Sequence, residues 1–147
     1  MLKVKDFNLD YTLNSGQEFK FKKIGNCQKG VLGDFVVELR QDQNALFFEC
    51  HPNTKKGIEK DIIEYFNLKI DLEDILTKID TDSYIHRAIT NYHGLRIITQ
   101  DPWECLVSYI ISQRKRIPSI KKNIEIFSRT FGKRIWLDNY SFPSCES

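Results

Sequence analysis

The chain has 147 residues, of which 41% are hydrophobic and 29% are charged, and its formal net charge is +2 at pH 7. These values are typical of an ordinary soluble globular protein of about one domain with a packed core. No stretch approaches the ~18 apolar residues that a membrane span needs, and the charged first positions predict no secretion signal, so we expect a cytoplasmic protein without a membrane partner.

In the N-terminal third, apolar and polar side chains alternate with a period of two, as they do in half-buried strands. The alternation runs from Phe7 to Leu13, pauses at a turn around Gly16 and resumes at Phe19. Glycine turns further along separate the remaining strands. Four or five short strands joined by tight turns predict an antiparallel sheet with one buried face.

After Gly57 the apolar spacing becomes helical, and it predicts five amphipathic helices. The fourth has the clearest start, because Asp101 suits the N-cap, Pro102 the first turn and Glu104 the third helical position of a capping box. A sheet followed by helices is the α+β order. The helices are expected over residues 58–66, 71–79, 82–94, 102–111 and 117–131.

The charge is unevenly distributed along the chain. Residues 57–82 hold eight acids against three lysines, whereas residues 103–134 hold eight basic residues against two acids. A protein polarised in this way presents one face to polyanions. Arg114, Lys115 and Arg116 stand between two predicted helices, where they suit a phosphate or a nucleic-acid backbone. A solvated basic loop is the alternative interpretation.

The cysteines and histidines show no pattern of a metal or catalytic site. The four cysteines form no CxxC pair, and we expect buried free thiols in a reducing compartment. The three histidines lack metal-ligand spacing and are expected on the surface or in loops, so we predict no metal and no cofactor. These residues are Cys27, Cys50, Cys105, Cys145, His51, His86 and His93.

Short motifs spread over nearly the whole chain carry a family resemblance. In their order they resemble the front half of a bacterial 8-oxoguanine DNA glycosylase. The resemblance implies an N-terminal antiparallel sheet, similar to the TATA-binding-protein fold, over residues 1–94. It implies the first helices of a helix-hairpin-helix glycosylase domain over residues 95–147. The motifs include Ser15-Gly16-Gln17-Glu18-Phe19, Gly94-Leu95-Arg96-Ile97, Gln100-Asp101-Pro102-Trp103-Glu104, Ile110-Ile111-Ser112-Gln113 and Tyr140-Ser141-Phe142-Pro143.

The same resemblance implies a function in base-excision repair. Such enzymes are DNA N-glycosylases and AP lyases that flip a damaged base out of the duplex. The expected partner is therefore double-stranded DNA containing a damaged base, and the expected location is the nucleoid. Stand-alone DNA binding without catalysis, a structural remnant that does not bind DNA, and part of an alkylated-base DNA glycosylase are the alternatives.

The resemblance also assigns site residues. Gly16 matches the glycine whose main-chain carbonyl accepts the N7 proton of oxidised guanine. The DNA-binding residues by position are Gln113, Arg114, Lys115 and Arg116, and the last three of these stand where the family often has an asparagine run. Ser119 stands where an arginine directed at the orphaned cytosine is common. These departures leave the preferred lesion and opposite base open.

The family's catalytic signature does not occur in this sequence. Those enzymes use a lysine in Leu-x-Gly-(Ile/Val)-Gly-x-Lys as the nucleophile, supported by an aspartate after a loop rich in glycine and proline. We therefore assign no catalytic residue and expect the N-terminal portion of an enzyme whose catalytic half is absent. The apolar faces of the fourth and fifth helices should then be exposed and cause self-association. The side chains concerned are Trp103, Leu106, Ile110, Ile120, Ile124 and Phe127.

Overall fold

The computed structural model describes residues 1–53 and 57–146, and these form a sheet followed by helices. The α+β prediction is therefore confirmed. The elements in chain order are β1 (Leu2–Lys3), α1 (Leu9–Asn14), β2 (Lys22–Ile24), β3 (Cys27–Leu32), β4 (Phe35–Asp42), β5 (Ala45–His51), α2 (Ile58–Tyr65), α3 (Leu72–Ile79), α4 (Ser83–Asn91), α5 (Pro102–Ser112), α6 (Ile117–Phe131), β6 (Arg134–Trp136) and β7 (Asn139–Tyr140).

The main sheet has five antiparallel strands in the order β1-β5-β4-β3-β2, and β6 and β7 pair separately. Its centre is β4, where Val37 faces Gly30 of β3 and Leu39 faces Phe48 of β5. Val37 and Leu39 are fully buried. Helix α2 contributes Ile58, Ile62 and Phe66 at its C-cap to the same hydrophobic core.

The strand predicted over Phe7–Leu13 is wrong, because this segment holds α1 instead. The Asn8 side chain accepts a hydrogen bond from Tyr11 N at 2.9 Å and so caps a helix. The buried side chains are Leu9, Thr12 and Leu13, which follow helical spacing, whereas Tyr11 is exposed. The alternation from Phe7 to Leu13 therefore does not mark a buried strand face. The sheet still has five strands, because β1 takes the place of the strand predicted here.

The five predicted helices are confirmed, with small differences at their ends. The N-cap prediction for α5 is also confirmed, since the Asp101 carboxylate accepts hydrogen bonds from Trp103 N and Glu104 N, both at 3.0 Å. The reciprocal half of the predicted capping box is wrong, because the Glu104 carboxylate pairs with Lys20 Nζ at 2.7 Å. The helix predicted to end near Gly94 ends at Asn91. Glu104 thus ties α5 to the segment before β2.

The apolar residues of α5 and α6 differ in burial. Leu106 is 52% exposed and Ile110 60% exposed, as predicted, whereas Ile120 and Ile124 are buried and contradict the prediction. Helix α6 is partly covered because it packs beside the edge strand: Lys121 Nζ donates to the Phe21 carbonyl at 3.0 Å. The exposed part of the predicted surface is therefore the α5 patch, formed by Trp103, Leu106 and Ile110.

The cysteine prediction is only partly correct. The four cysteines are free thiols, as expected, and Cys50 is buried. Cys27 is half-buried, and Cys105 and Cys145 are exposed. Cys105 follows the exposed surface of α5 because few residues cover that helix. The boundary expected between residues 94 and 95 stays a prediction; Ile98 packs in the core beneath the sheet.

Self-association through the α5 patch can be tested by placing charge on it. We expect Leu106→Glu with Ile110→Glu to shift the 147-residue chain from oligomer towards monomer, because burial of charged carboxylates in an apolar contact is unfavourable. Sedimentation velocity over a range of concentrations measures the change. The control, Ile79→Glu with Ile126→Glu, alters two other exposed isoleucines and should leave the distribution unchanged. A wild-type chain that stays monomeric throughout would contradict the prediction.

A close backbone contact at Gly94 gives a second prediction. Gly94 has φ +85°, and a Cβ there would lie 2.9 Å from Asn8 N, whereas a Cβ at Gly33, with φ +56°, would meet nothing within 4 Å. Both glycine-to-alanine substitutions should cost about 1–2 kcal/mol through the left-handed backbone. Gly94→Ala should cost at least ~1 kcal/mol more through the steric clash. Equal losses in urea unfolding for the two variants would disprove this role for the contact.

Candidate nucleic-acid interface

Gly16 lies in the loop that follows α1. Its φ is +89°, and a Cβ built on it would have no neighbouring heavy atom within 4 Å. The residue is exposed. Its main chain is therefore open to close approach by another molecule, which is the property that a backbone-mediated contact requires.

Gln17 anchors this loop to the segment before α5. Its Nε2 donates to the Arg96 carbonyl at 2.8 Å, and its Oε1 accepts a hydrogen bond from Ile98 N at 3.0 Å. The Gln17 carbonyl in turn accepts a hydrogen bond from Gln100 Nε2 at 2.7 Å. Three hydrogen bonds of Gln17 thus fix the residue next to Gly16 to the segment before α5.

Arg96 is the buried centre of this arrangement. Only 4% of the residue is exposed. Its guanidinium donates to four main-chain carbonyls: Lys5 at 3.0 Å, Asp6 at 3.1 Å, Asn67 at 2.8 Å and Ile70 at 2.9 Å. Burial lowers the pKa of the Arg96 guanidinium, and nearby carboxylates, Asp6 among them, oppose that shift. The side chain joins the N-terminal segment, the α2–α3 connection and the segment before α5.

Glu18 supports the other side of the Gly16 loop. It is 2% exposed, and its carboxylate accepts hydrogen bonds from Phe19 N at 2.7 Å, from Lys20 N and from the Tyr65 hydroxyl. Burial and the adjacent Glu18 carboxylate raise the pKa of Tyr65 well above its usual range. Burial also raises the pKa of Glu104, and the ion pair with Lys20 opposes the shift. These groups fix residues 18–20 against α2 and α5.

The predicted basic segment forms the connection between α5 and α6. Gln113 is the C-cap of α5, and its Nε2 donates to the Tyr109 carbonyl at 3.2 Å. Arg114 adopts a left-handed φ of +56°, and Arg116 is the N-cap residue of α6. Ser119 is exposed in the first turn of α6. We call residues 113–116 the basic turn.

The cations of the basic turn are not neutralised by carboxylates of the described chain. Within residues 1–53 and 57–146, Arg114, Lys115 and Arg116 are exposed and form no ion pair. In contrast, Lys22 pairs with Glu125 at 2.8 Å on the side of α6 that faces the sheet edge. The basic turn therefore offers its charge to an external anion, although exposed cations are also found on ordinary solvated loops.

The structure does not bring all the predicted site residues to one point. Through Gln17 and Gln100, the Gly16 loop is attached near the N-terminal end of α5, whereas the basic turn follows its C-terminal end. The eleven residues of α5 measure about 16 Å. This separation suits an extended ligand that contacts both ends of the helix.

The sequence predictions missed the residues that hold this arrangement, namely Gln17, Glu18 and Arg96. A signal was available for Arg96, because it interrupts the apolar run Leu95–Ile98, whereas Gln17 and Glu18 lie in a polar stretch that gave none. The histidine prediction holds for His86 and His93, which are exposed, and is wrong for His51. The His51 ring stacks on Trp136 with a centroid separation of 4.0 Å and is half-buried.

Comparison with known proteins shows one consistent likeness. The family model described as 8-oxoguanine DNA glycosylase, N-terminal domain, matches residues 1–106. N-glycosylase/DNA lyase OGG1 of Arabidopsis thaliana is 29% identical, over 96% of this chain and 41% of that protein. N-glycosylase/DNA lyase of Saccharomyces cerevisiae is 29% identical, over 91% of this chain and 40% of that protein. The chain thus spans less than half the length of these curated relatives.

Solved structures show the same likeness. The structure of MBOgg1 in complex with a low-affinity DNA ligand superimposes with a TM-score of 0.88 and 37% identity, over 97% of this chain and 50% of that one. The Clostridium acetobutylicum 8-oxoguanine glycosylase/lyase, in complex with double-stranded DNA containing cytosine opposite 8-oxoguanine, gives a TM-score of 0.86 and 28% identity. That match covers 99% of this chain and 54% of the other. Among the described residues, no helix combines the length and the apolar character needed to cross a membrane.

Proposed function

The chain belongs to the 8-oxoguanine DNA glycosylase family, and from this membership we propose that it binds damaged double-stranded DNA as part of a DNA N-glycosylase and AP lyase of base-excision repair. We propose a cytoplasmic, nucleoid-associated location for this activity. No lysine of the 147 residues lies in a Gly-x-Gly-x-Lys sequence, so we assign the glycosylase chemistry to none of these side chains.

Within this function, Gly16 is proposed to recognise the damaged base. Its main-chain carbonyl would accept the proton that 8-oxoguanine carries on N7, whereas N7 of normal guanine is an acceptor without a proton. The proposal rests on the combination of open space at Gly16 and firm attachment beside it. A Cβ built on Gly16 would have no neighbour within 4 Å. The adjacent Gln17 is hydrogen-bonded to Arg96, Ile98 and Gln100. An exposed glycine on a fixed backbone suits a main-chain contact that must discriminate by a single proton.

The basic turn is proposed to bind the DNA backbone, at the opposite end of α5 from Gly16. Arg114, Lys115 and Arg116 supply unpaired charge, and Gln113 and Ser119 supply polar groups at the adjoining helix ends. The positive end of the α6 helix dipole adds a favourable field for phosphate. Side chains of these types suit phosphate contacts and hydrogen bonds to an unpaired base.

Neutralising the basic turn tests the proposal. We expect Arg114→Ala with Arg116→Ala to weaken binding to a duplex containing 8-oxoguanine, because each lost phosphate contact releases one fewer counterion. The slope of log affinity against log salt concentration should become shallower by about two units for the double variant. Fluorescence anisotropy at several salt concentrations measures both quantities.

The matched control removes the same charge from the acidic part of the chain. Lys60 and Lys78 are exposed and pair with Glu64 and Asp74, so Lys60→Ala with Lys78→Ala should leave the salt slope unchanged. An unchanged slope in the Arg114 and Arg116 variant would remove the basic turn from the interface. Equal wild-type affinity for damaged and undamaged duplexes would instead favour DNA binding without lesion recognition.

A further inference from the structure

Three side chains that commonly ligate metals converge from three separate elements. They are Asp6, between β1 and α1, Glu73 in the first turn of α3, and His93, which follows α4. One ligand atom of each lies within 4.8 Å of those of the other two. We propose that the Asp6–Glu73–His93 cluster binds a divalent transition-metal ion that fastens α3 and α4 to the N-terminal segment.

The donor atoms suit such an ion. One imidazole nitrogen and two carboxylate oxygens form a mixed set of the kind that Zn²⁺ accepts, with water able to complete the coordination. With bonds of about 2.1 Å, neighbouring ligand atoms of a tetrahedral zinc site lie about 3.4 Å apart. His93 Nε2 is now 2.6 Å from Glu73 Oε1, and both side chains are about half exposed, so small side-chain rotations reach that spacing.

A hydrogen bond between His93 and Glu73 explains only two of the three residues in the cluster. His86 Nδ1 and Asp80 Oδ2, 2.8 Å apart, show such a pair in the same region of the chain. Within residues 1–53 and 57–146, no second carboxylate completes a group of three around His86, whereas Asp6 does so around His93. Two carboxylates beside one imidazole are mutually repulsive, and a bound cation neutralises them.

The positive groups around the cluster leave room for an ion. Lys5 Nζ lies 3.5 Å from Asp6 Oδ2, but the Lys5 side chain is 83% exposed and can turn away into solvent. The Arg96 guanidinium donates to the main-chain carbonyl of Asp6, so it forms no direct hydrogen bond with the carboxylate, although its charge attracts that carboxylate. Lys5 and Arg96 therefore both compete with the ion for Asp6, and Arg96 also positions the Asp6 backbone.

The position of the cluster gives the ion a structural effect. Leu72 is the only buried residue of α3, and α4 has none, so burial of apolar surface contributes little to holding these helices. An ion that joins Asp6, Glu73 and His93 closes long stretches of chain at a point where packing is weak. None of the three residues belongs to the proposed DNA contacts, and the inference does not depend on the proposed function.

Zinc titration of matched histidine variants tests the site. We expect Zn²⁺ to bind the wild-type chain in calorimetry and to raise its melting temperature, because the ion binds the folded state preferentially. His93→Gln should lower the zinc affinity at least tenfold and remove most of the thermal shift, and Glu73→Gln should act in the same direction. His86→Gln, which alters the neighbouring pair, should behave as wild type.

Two further controls distinguish zinc binding at this cluster from zinc binding elsewhere on the protein. The free cysteines are present in every variant, so thiol binding affects all of them equally. Mg²⁺ at the same concentration should give no comparable shift, because it prefers oxygen ligands and keeps its water. Wild-type zinc binding by His93→Gln, an equal loss in His86→Gln, or no zinc binding by the wild type would each overturn the proposal. Equal stabilisation by Mg²⁺ would overturn the choice of a transition metal.

Discussion

The rest of the structure depends on the hydrogen bonds that the buried guanidinium of Arg96 donates. It donates to carbonyls of the N-terminal segment and of the α2–α3 connection, including those of Asp6 and Asn67. These carbonyls lie at places where the chain is neither strand nor helix, so no regular backbone ladder satisfies them. Hydrogen bonds to a charged group contribute more than neutral ones, about 1.5–3 kcal/mol each. One side chain therefore holds three stretches of chain that have little regular structure of their own.

The same residue connects the core to the candidate interface. Its main-chain carbonyl accepts a hydrogen bond from Gln17, and its main-chain N donates to the Thr12 hydroxyl at 3.2 Å. The side chain of Arg96 is thus anchored in the core while its backbone fixes both ends of the loop that contains Gly16. On the other side of that loop, buried Glu18 performs a similar task for residues 18–20. The open backbone of Gly16 lies between two rigid attachments, which is the preorganisation that discrimination by one hydrogen bond requires.

How much of this could be predicted from the sequence depends on the range of the forces involved. Capping is local, and the Asp101 N-cap of α5 and the helical spacing of α2–α6 were therefore predictable. The segment from Phe7 to Leu13 is too short for its period to be decisive, and the Asn8 cap was overlooked there. Burial set by distant elements was also out of reach: Ile124 is buried, whereas Leu106 is 52% exposed, although both lie on predicted apolar helix faces.

In the candidate site, too, the sequence indicated some residues and gave no indication of others. The family motifs led to Gly16 and to the basic turn, whose roles stay proposals. The partners of Arg96 and the Asp6–Glu73–His93 cluster bring together residues far apart in the sequence, and no spacing rule predicts such contacts. An isolated charge within an apolar run, as at Arg96, is the kind of signal that indicates a buried hydrogen-bonding centre.

Hydrogen exchange on an Arg96→Lys variant tests the central role of this side chain most directly. Lysine keeps the charge but loses the planar fork, so the protection of Ile98 N, which donates to Gln17, should fall by about 2–3 kcal/mol. That corresponds to exchange roughly 30- to 150-fold faster, with a smaller change at Leu39 in the centre of the sheet. Arg40→Lys, at an exposed position of β4, serves as the control. Unchanged protection of Ile98, or an equal loss at Leu39 and Ile98, would contradict the account.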